Sequence, residues 1–197
     1  MNRPPLVLDV AGVLTTNLSP YYWDELGNIC GLPPSYIKQQ FRSEIRERLW
    51  TGQITEQEYY LWLKQKFLNS TANLLCDRSL LLKHLRMLPA ASYFEIWSRQ
   101  ADIHLLSNHR TEWLDELLRP YNCYLTSMTI SNSVGICKPD LAIYEHVQRH
   151  LDNESIVFYV DDQDRNLLPA RELGWHTFRA DPEGQWIDKL RDTLSNW

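Results

Sequence analysis

Five short runs rich in leucine, β-branched and aromatic residues recur along the chain, separated by stretches with helical spacing, and this alternation constrains the fold more than any other feature. The runs are Pro5 to Asp9, Asp102 to Ser107, Leu125 to Ile130, Ile156 to Val160 and Trp175 to Arg179. Strands that alternate with helices pair in parallel, because a parallel neighbour is reached only through a long crossover. Between the runs, His109 to Arg119 sets Trp113, Leu114, Leu117 and Leu118 on one helical face. Leu141 to Leu151 does the same with Ile143, Val147 and Leu151, opening after Pro139 and Asp140. Asn166 to Leu173 reads as a further crossover helix, closed by Gly174.

The stretch from Thr15 to Leu88 has a different texture. It holds helix-compatible blocks at Pro34 to Trp50 and Thr55 to Leu68 and offers no comparable strand. The turn Thr51-Gly52-Gln53-Ile54-Thr55 divides them, and Thr55 with Glu58 forms a capping-box pattern. The expected fold class is therefore α/β: a Rossmann-like doubly wound parallel sheet over residues 1–14 and 89–197, with a small helical cap, residues 15–88, inserted after the first strand. A chain of 197 residues suits one such core plus an insertion.

Composition narrows the function classes. A net charge of −5 with dispersed basic residues supplies no field for nucleic acid, and no apolar stretch is long enough to span a bilayer. The opening Met-Asn-Arg-Pro-Pro lacks a signal-peptide core. Cys30, Cys76, Cys123 and Cys137 are scattered without CxxC spacing, which argues against a zinc site or a disulfide framework and makes a reducing cytoplasm the expected location. Cys137, beside Lys138, is given no role. The eight tryptophans run from Trp23 to Trp197 without a periodic box and are read as packing residues.

Four groups fall at the C-terminal ends of expected strands, where open parallel sheets bind ligands. Asp9, with Gly12 beyond it, ends the first. Ser107-Asn108 follows His104-Leu105-Leu106, Lys138-Pro139 precedes a helix, and Asp161-Asp162 follows Val157-Phe158-Tyr159-Val160. Any one alone is a common turn or cap residue. Two like charges at the mouth of a buried strand repel unless a cation lies between them, which favours a metal at Asp161-Asp162.

In this order the groups resemble the four motifs of the haloacid dehalogenase (HAD)-like hydrolase superfamily, over nearly the whole chain. The specific match lies in Gly135-Ile136-Cys137-Lys138-Pro139-Asp140 with Ile143-Tyr144, and in Val157-Phe158-Tyr159-Val160-Asp161-Asp162 with Asn166, Ala170 and Gly174. The chain is similar to the branch of epoxide hydrolase N-terminal phosphatase domains and small bacterial sugar-1-phosphate phosphatases, whose caps contain a Gly-centred turn like Trp50 to Thr55. The resemblance implies a Mg²⁺-dependent phosphatase of a small phosphorylated metabolite, with Asp9 as the nucleophile that becomes an aspartyl-phosphate. Asp9, Asp162 and the main-chain carbonyl of Ala11 are the expected metal ligands, with Asp161 binding through water or orienting Lys138. Ser107 through its hydroxyl and Asn108 through its backbone N–H at a helix start are expected to bind the phosphoryl group, and Lys138 to supply the cation.

The chain departs from the pattern at Ala11, where most phosphatases of the family carry the Asp that protonates the leaving oxygen and activates water. General acid–base help is typically worth about 10² to 10⁴ in rate. Three readings stay open: a phosphatase for leaving groups that need little protonation, such as an anomeric or acyl phosphate; a phosphonatase-type hydrolase using a Schiff base on a cap lysine, with Lys38 and Lys64 the nearest; or a catalytically impaired HAD-like binding protein. A dehalogenase would leave the acidic pair unexplained. His109 is a substitute acid only if protonated, which a helix N-terminus opposes, so it is expected to be exposed or a packing residue. Tyr21, Tyr22 and Trp23, near the expected hinge, are candidates for substrate selection.

Overall fold

A computed structural model describes residues 3–18, 20–67, 77–151 and 156–196. The expected helix end at Leu68, together with Cys76 and Trp197, lies outside the described residues. All five expected strands form, as β1 (Pro5–Leu8), β2 (Asp102–Ser107), β3 (Leu125–Ile130), β4 (Phe158–Asp161) and β5 (His176–Arg179). They make one parallel sheet of order β3-β2-β1-β4-β5. The chain steps outward from β1 to β3 and then crosses back to β4, so the strand order reverses beside β1, where parallel sheets open a crevice at their C-terminal ends.

Alternation along each strand loads both faces of the sheet. Leu6, Leu8, Ile103, Leu105, Phe158 and Val160 join one buried cluster, while Val7, Leu106 and Tyr159 join another on the opposite side. Against the second face pack Ile143, Tyr144 and Val147 of α9 (Leu141–Gln148) and Leu167 and Ala170 of α10 (Asp164–Glu172). Leu114 and Leu118 of α7 (Thr111–Leu118) and Trp186 and Leu190 of α11 (Gln185–Ser195) cover the first. Gly174, at φ +79°, stands just after α10, and the amides of Gly174 and Trp175 bond back to Arg171 and Ala170.

Between Thr15 and Leu88 the described residues build five helices: α1 (Tyr21–Cys30), α2 (Pro34–Glu44), α3 (Arg46–Trp50), α4 (Glu56–Phe67) and α5 (Arg78–Lys83). They have a core of their own, including Leu26, Ile37, Phe41, Leu49, Tyr59 and Leu63. Its entrance and exit lie side by side, since Thr15 bridges Met87, the Thr16 amide bonds the Arg86 carbonyl and the Leu88 amide bonds the Leu14 carbonyl. The expected helix from Pro34 to Trp50 is two helices, broken at Ile45 where φ is −131°. The Thr55–Glu58 capping box forms in full, with Glu58 accepting from the Thr55 amide and hydroxyl. The remaining helices are α6 (Phe94–Gln100), before β2, and the single-turn α8 (Ser131–Val134), after β3.

The insertion is tied to the core at its far end as well. Arg110, buried in the β2–α7 loop, donates to the carbonyls of Leu49 at 2.9 Å and Ile54 at 2.8 Å. Ser131 Oγ donates to the Trp50 carbonyl at 2.6 Å, and Trp113 Nε1 to Glu56 at 2.6 Å. Gly52, at φ +72°, carries the turn against α8; a Cβ there would lie 2.3 Å from the Asn132 carbonyl oxygen.

Candidate active site

The tips of β1, β2 and β4 and the loop between α8 and α9 bring Asp9, Ser107, Asp161, Asp162 and Lys138 together. Asp9 directly follows β1 and is buried, and its Oδ1 accepts the Val10 amide at 2.6 Å, Ser107 Oγ at 3.0 Å and Lys138 Nζ at 2.9 Å. Three donors on one oxygen fix the carboxylate plane. Among the described residues Oδ2 accepts no hydrogen bond.

Lys138 is buried with its ammonium saturated. Besides Asp9 it reaches Asp161 Oδ2 at 2.6 Å, the Leu106 carbonyl at 3.0 Å and Tyr159 OH at 3.4 Å. Burial lowers its pKa, but Asp9 and Asp161 more than compensate and the net shift is upward, so it stays charged. Asp161 is fully engaged: Oδ2 takes Lys138, the Tyr159 hydroxyl at 2.6 Å and Asn166 Nδ2 at 3.1 Å, while Oδ1 takes Asn166 at 3.0 Å and the Gln163 amide at 2.8 Å. Of the two expected roles of Asp161, this geometry matches orienting Lys138. Tyr159, which reads in sequence only as an apolar strand residue, belongs to the same network.

Asp162 is different. It accepts from Asn17 Nδ2 at 3.3 Å and Gln163 Nε2 at 3.4 Å and makes no ion pair among the described residues. Its carboxyl is pushed up by burial and by Asp161. Gly12, at φ +91°, makes room for it: a Cβ there would stand 2.4 Å from Asp162 Oδ2. Asp9 is pushed up to about 8, first by burial, against the pull of Lys138, and then by Asp161 and Asp162. Oxygens of Asp9, Asp161 and Asp162 lie within 4.8 Å of one another, a donor set of hard anions whose mutual repulsion a divalent cation relieves. The bridge between Ala11 and Thr15 uses the Val10 carbonyl and the Gly12 amide, so the Ala11 carbonyl is not spent on it.

Asn108 does not stand at a helix start. The helix begins at Thr111, because Arg110 is still extended, and Asn108 lies in the preceding loop. Its side chain clamps the Lys138 backbone instead, accepting from the amide at 2.7 Å and donating to the carbonyl at 2.8 Å. His109 is a packing residue: it is buried, with its ring 5.5 Å from Trp50 and 5.8 Å from Trp113, and burial lowers its pKa to about 4. A neutral imidazole cannot supply the proton that Ala11 lacks.

Above these groups lies a cavity of about 330 Å³ between the strand tips and the insertion. Asp9 is the sole carboxylate among the described residues that line it, and Ala11, Ser107 and Lys138 share its floor. Asn166 lines it too, with its buried Oδ1 lacking a hydrogen-bond partner among the described residues. Trp23 lines it, but the other two aromatic candidates do not: Tyr22 is buried with its hydroxyl on Tyr59 at 2.7 Å, and Tyr21 points outward. Lys38, Arg42 and Arg46 enter from α2 and α3. Lys38 is one of the two cap lysines singled out from the sequence, but Arg42 and Arg46 read there only as dispersed charge; the signal of the group is a spacing of four residues, which stacks side chains on one helical face. Cys137 is held up by burial, as expected of a bystander thiol.

No protein family model and no curated protein sequence matches the chain. Solved structures do. A HAD family enzyme from Bacteroides thetaiotaomicron, in its magnesium complex, superposes with a TM-score of 0.79 at 20% identity, over 97% of this chain and 100% of that one. The same enzyme with magnesium and inorganic phosphate gives 0.75 at 19%, over 94% and 98%. An L-2-haloacid dehalogenase from Xanthobacter autotrophicus, with chloropropionic acid covalently bound, gives 0.64 at 17%, over 93% and 80%. The chain has the HAD-like fold.

Proposed function

We propose that this chain, built on the HAD-like fold, is a Mg²⁺-dependent phosphatase of a small phosphorylated metabolite, working through an aspartyl-phosphate on Asp9. The observation that carries the reading is the Asp9 carboxylate pinned through one oxygen by Val10, Ser107 and Lys138, with Asp162 unpaired beside it. Magnesium and phosphate bound to the Bacteroides enzyme of the same fold support it.

Asp9, Asp162 and the Ala11 carbonyl would hold the ion, which supplies charge neutralisation between a carboxylate and a phosphate dianion. A carboxylate oxygen of Asp9 attacks phosphorus as the bond to the leaving oxygen breaks. Water then attacks the phosphorus of the acyl phosphate, freeing inorganic phosphate and restoring the carboxylate. Ser107 and Lys138 meet the negative charge on the phosphoryl oxygens. Asp161, with Tyr159 and Asn166 behind it, holds Lys138 in place and counts as a positioning residue.

The insertion, residues 15–88, acts as a cap that closes the site from water, and its 330 Å³ cavity suits a metabolite rather than a polymer. A cytoplasmic location fits that role. Since neither Ala11 nor His109 offers a proton, the favoured substrates are phosphates whose leaving group departs as a stable anion. One observation favours a second reading, a phosphonatase-type hydrolase: Lys38 lines the cavity and burial lowers its pKa, which suits an amine that must attack a carbonyl. Lys64 does not line it.

The test compares p-nitrophenyl phosphate and acetyl phosphate turnover with Mg²⁺ and with EDTA, beside Asp9→Asn. We expect metal-dependent phosphate release that falls at least about a thousandfold in the variant. Equal rates in parent and variant overturn the nucleophile. Chloride release from 2-chloropropionate without phosphate release favours a dehalogenase, and borohydride trapping of a carbonyl substrate on Lys38 favours the phosphonatase.

A further inference from the structure

Lys38, Arg42 and Arg46 follow one another at four-residue spacing on the face that α2 and α3 turn toward the floor of the cavity, with Phe41 on the same face. Arg165, at the start of α10, lines the cavity from the core side. Besides Lys138 at the floor, four cations thus surround a single cavity in a protein of net charge −5. Outside the cavity Arg3, Lys66, Arg78, Lys83, Arg99, Arg110, Arg179 and Arg191 each meet a carboxylate, while others, Arg48, Arg119 and Arg149 among them, stand apart from one another and meet none among the described residues. Arg42, Arg46 and Arg165 meet none among the described residues, and Arg165 donates only to Gln163 Oε1 at 3.0 Å.

The group is self-repelling. Burial, then Arg165, lowers the pKa of Arg46; Cys137 opposes them, Arg42 adds to them and Glu47 opposes. Burial and Arg42 lower that of Lys38, with Asp24 opposing them. Like charges gathered over a cavity cost stability, and a ligand that brings anions to them relieves that cost. Lys138, at the floor, is paired with Asp9 and Asp161 and belongs to the phosphoryl site rather than to this group.

We propose that Arg42, Arg46 and Arg165, flanked by Lys38, form a second anion subsite, and that the substrate is a small phosphate monoester bearing a second anionic group, a carboxylate or another phosphate. A guanidinium fork binds either group in bidentate fashion. The cavity leaves room for only a few carbons between the two anions. This proposal rests on the phosphatase reading for its substrate, and the experiment separates the two.

Calorimetry with Asp9→Asn protein and Mg²⁺ measures binding of glycerol 3-phosphate, whose tail is neutral, against 3-phosphoglycerate and a propanediol bisphosphate. We expect the two bis-anions to bind at least about tenfold tighter, the carboxylate and phosphate arms deciding which tail fits better. Adding Arg46→Gln, or separately the more exposed Arg42→Gln, is expected to weaken bis-anion binding at least about tenfold more than mono-anion binding, with Arg46→Lys recovering part of the loss. Equal affinity for all three ligands, or an equal loss for all three in both glutamine variants, overturns the subsite. Parent protein is assayed in parallel on p-nitrophenyl phosphate. Turnover there without bis-anion preference removes the subsite alone, while selective bis-anion binding without any turnover keeps the subsite and removes the phosphatase.

Discussion

The chemistry of the site turns on a methyl group. Ala11 stands where a carboxyl would complete the pattern, and none of the described residues on the cavity wall replaces it, since His109 is neutral and Lys138 is bound on several sides. Ala11→Asp is therefore expected to raise turnover of simple alkyl phosphates by up to about 10²-fold while changing acyl phosphates little; no gain on alkyl phosphates removes this account of the departure. A second expectation concerns pH. His109 and His104 are both buried, with pKa values lowered by burial to about 4. Each is neutral in the fold and takes a proton in the unfolded chain below about 6.5. Stability is therefore fully present above that pH and drains as pH falls toward about 4. Urea midpoints at pH 7.5 and pH 5 should show the loss, and His109→Gln should shrink it; an unchanged difference in the variant counts against the histidine. At this scale sequence reading singled out Asp9, Ser107 and the acidic pair because each stands at a strand end, and Lys138 because it precedes a helix in a recognisable frame. It missed the Tyr159 link and the side-chain clamp of Asn108, since both depend on which atoms meet across separate strands and loops.

Among the elements, the strands were the most legible, because a buried parallel strand must be apolar nearly throughout and the residue at its tip breaks the run. Helix α1 was not legible. Its opening aromatic residues hide the period, and Gly27 in its interior looks like a breaker. The structure supplies the reason for that glycine: a Cβ at Gly27 would stand 2.8 Å from Cγ of Pro34, so α1 and α2 pack through it. The split at Ile45 was equally hidden, and with it the fact that Arg46 continues the face begun by Lys38 on a new helix. Gly52 was read correctly as the centre of a turn, but its contact with Asn132 is a tertiary fact. Gly52→Ala combines a positive φ with that collision and is expected to cost about 2 kcal/mol or more, measured by urea unfolding. A midpoint equal to the parent's means that the turn is not seated on α8 as described.

The molecule as a whole joins an acidic cleft to a basic cavity wall. In the proposed enzyme Mg²⁺ binds the folded chain and not the unfolded one, so it should raise the thermal midpoint, by about 2.7 kcal/mol of stabilisation at a hundred times its dissociation constant. Scanning calorimetry of Asp162→Asn should show that rise much reduced; a full rise in the variant places the ion elsewhere. The sheet order carries another consequence, for the order of events in the cell. The central strand β1 is the first made, yet Pro5 must wait for Asp102 and Leu6 for Phe158 before either edge of that strand is covered. Until β2 has been synthesised Leu6-Val7-Leu8 is an apolar strand without either of its neighbours, and its second edge stays open until β4 follows. The innermost layer thus closes late, and the segment depends meanwhile on whatever shields it.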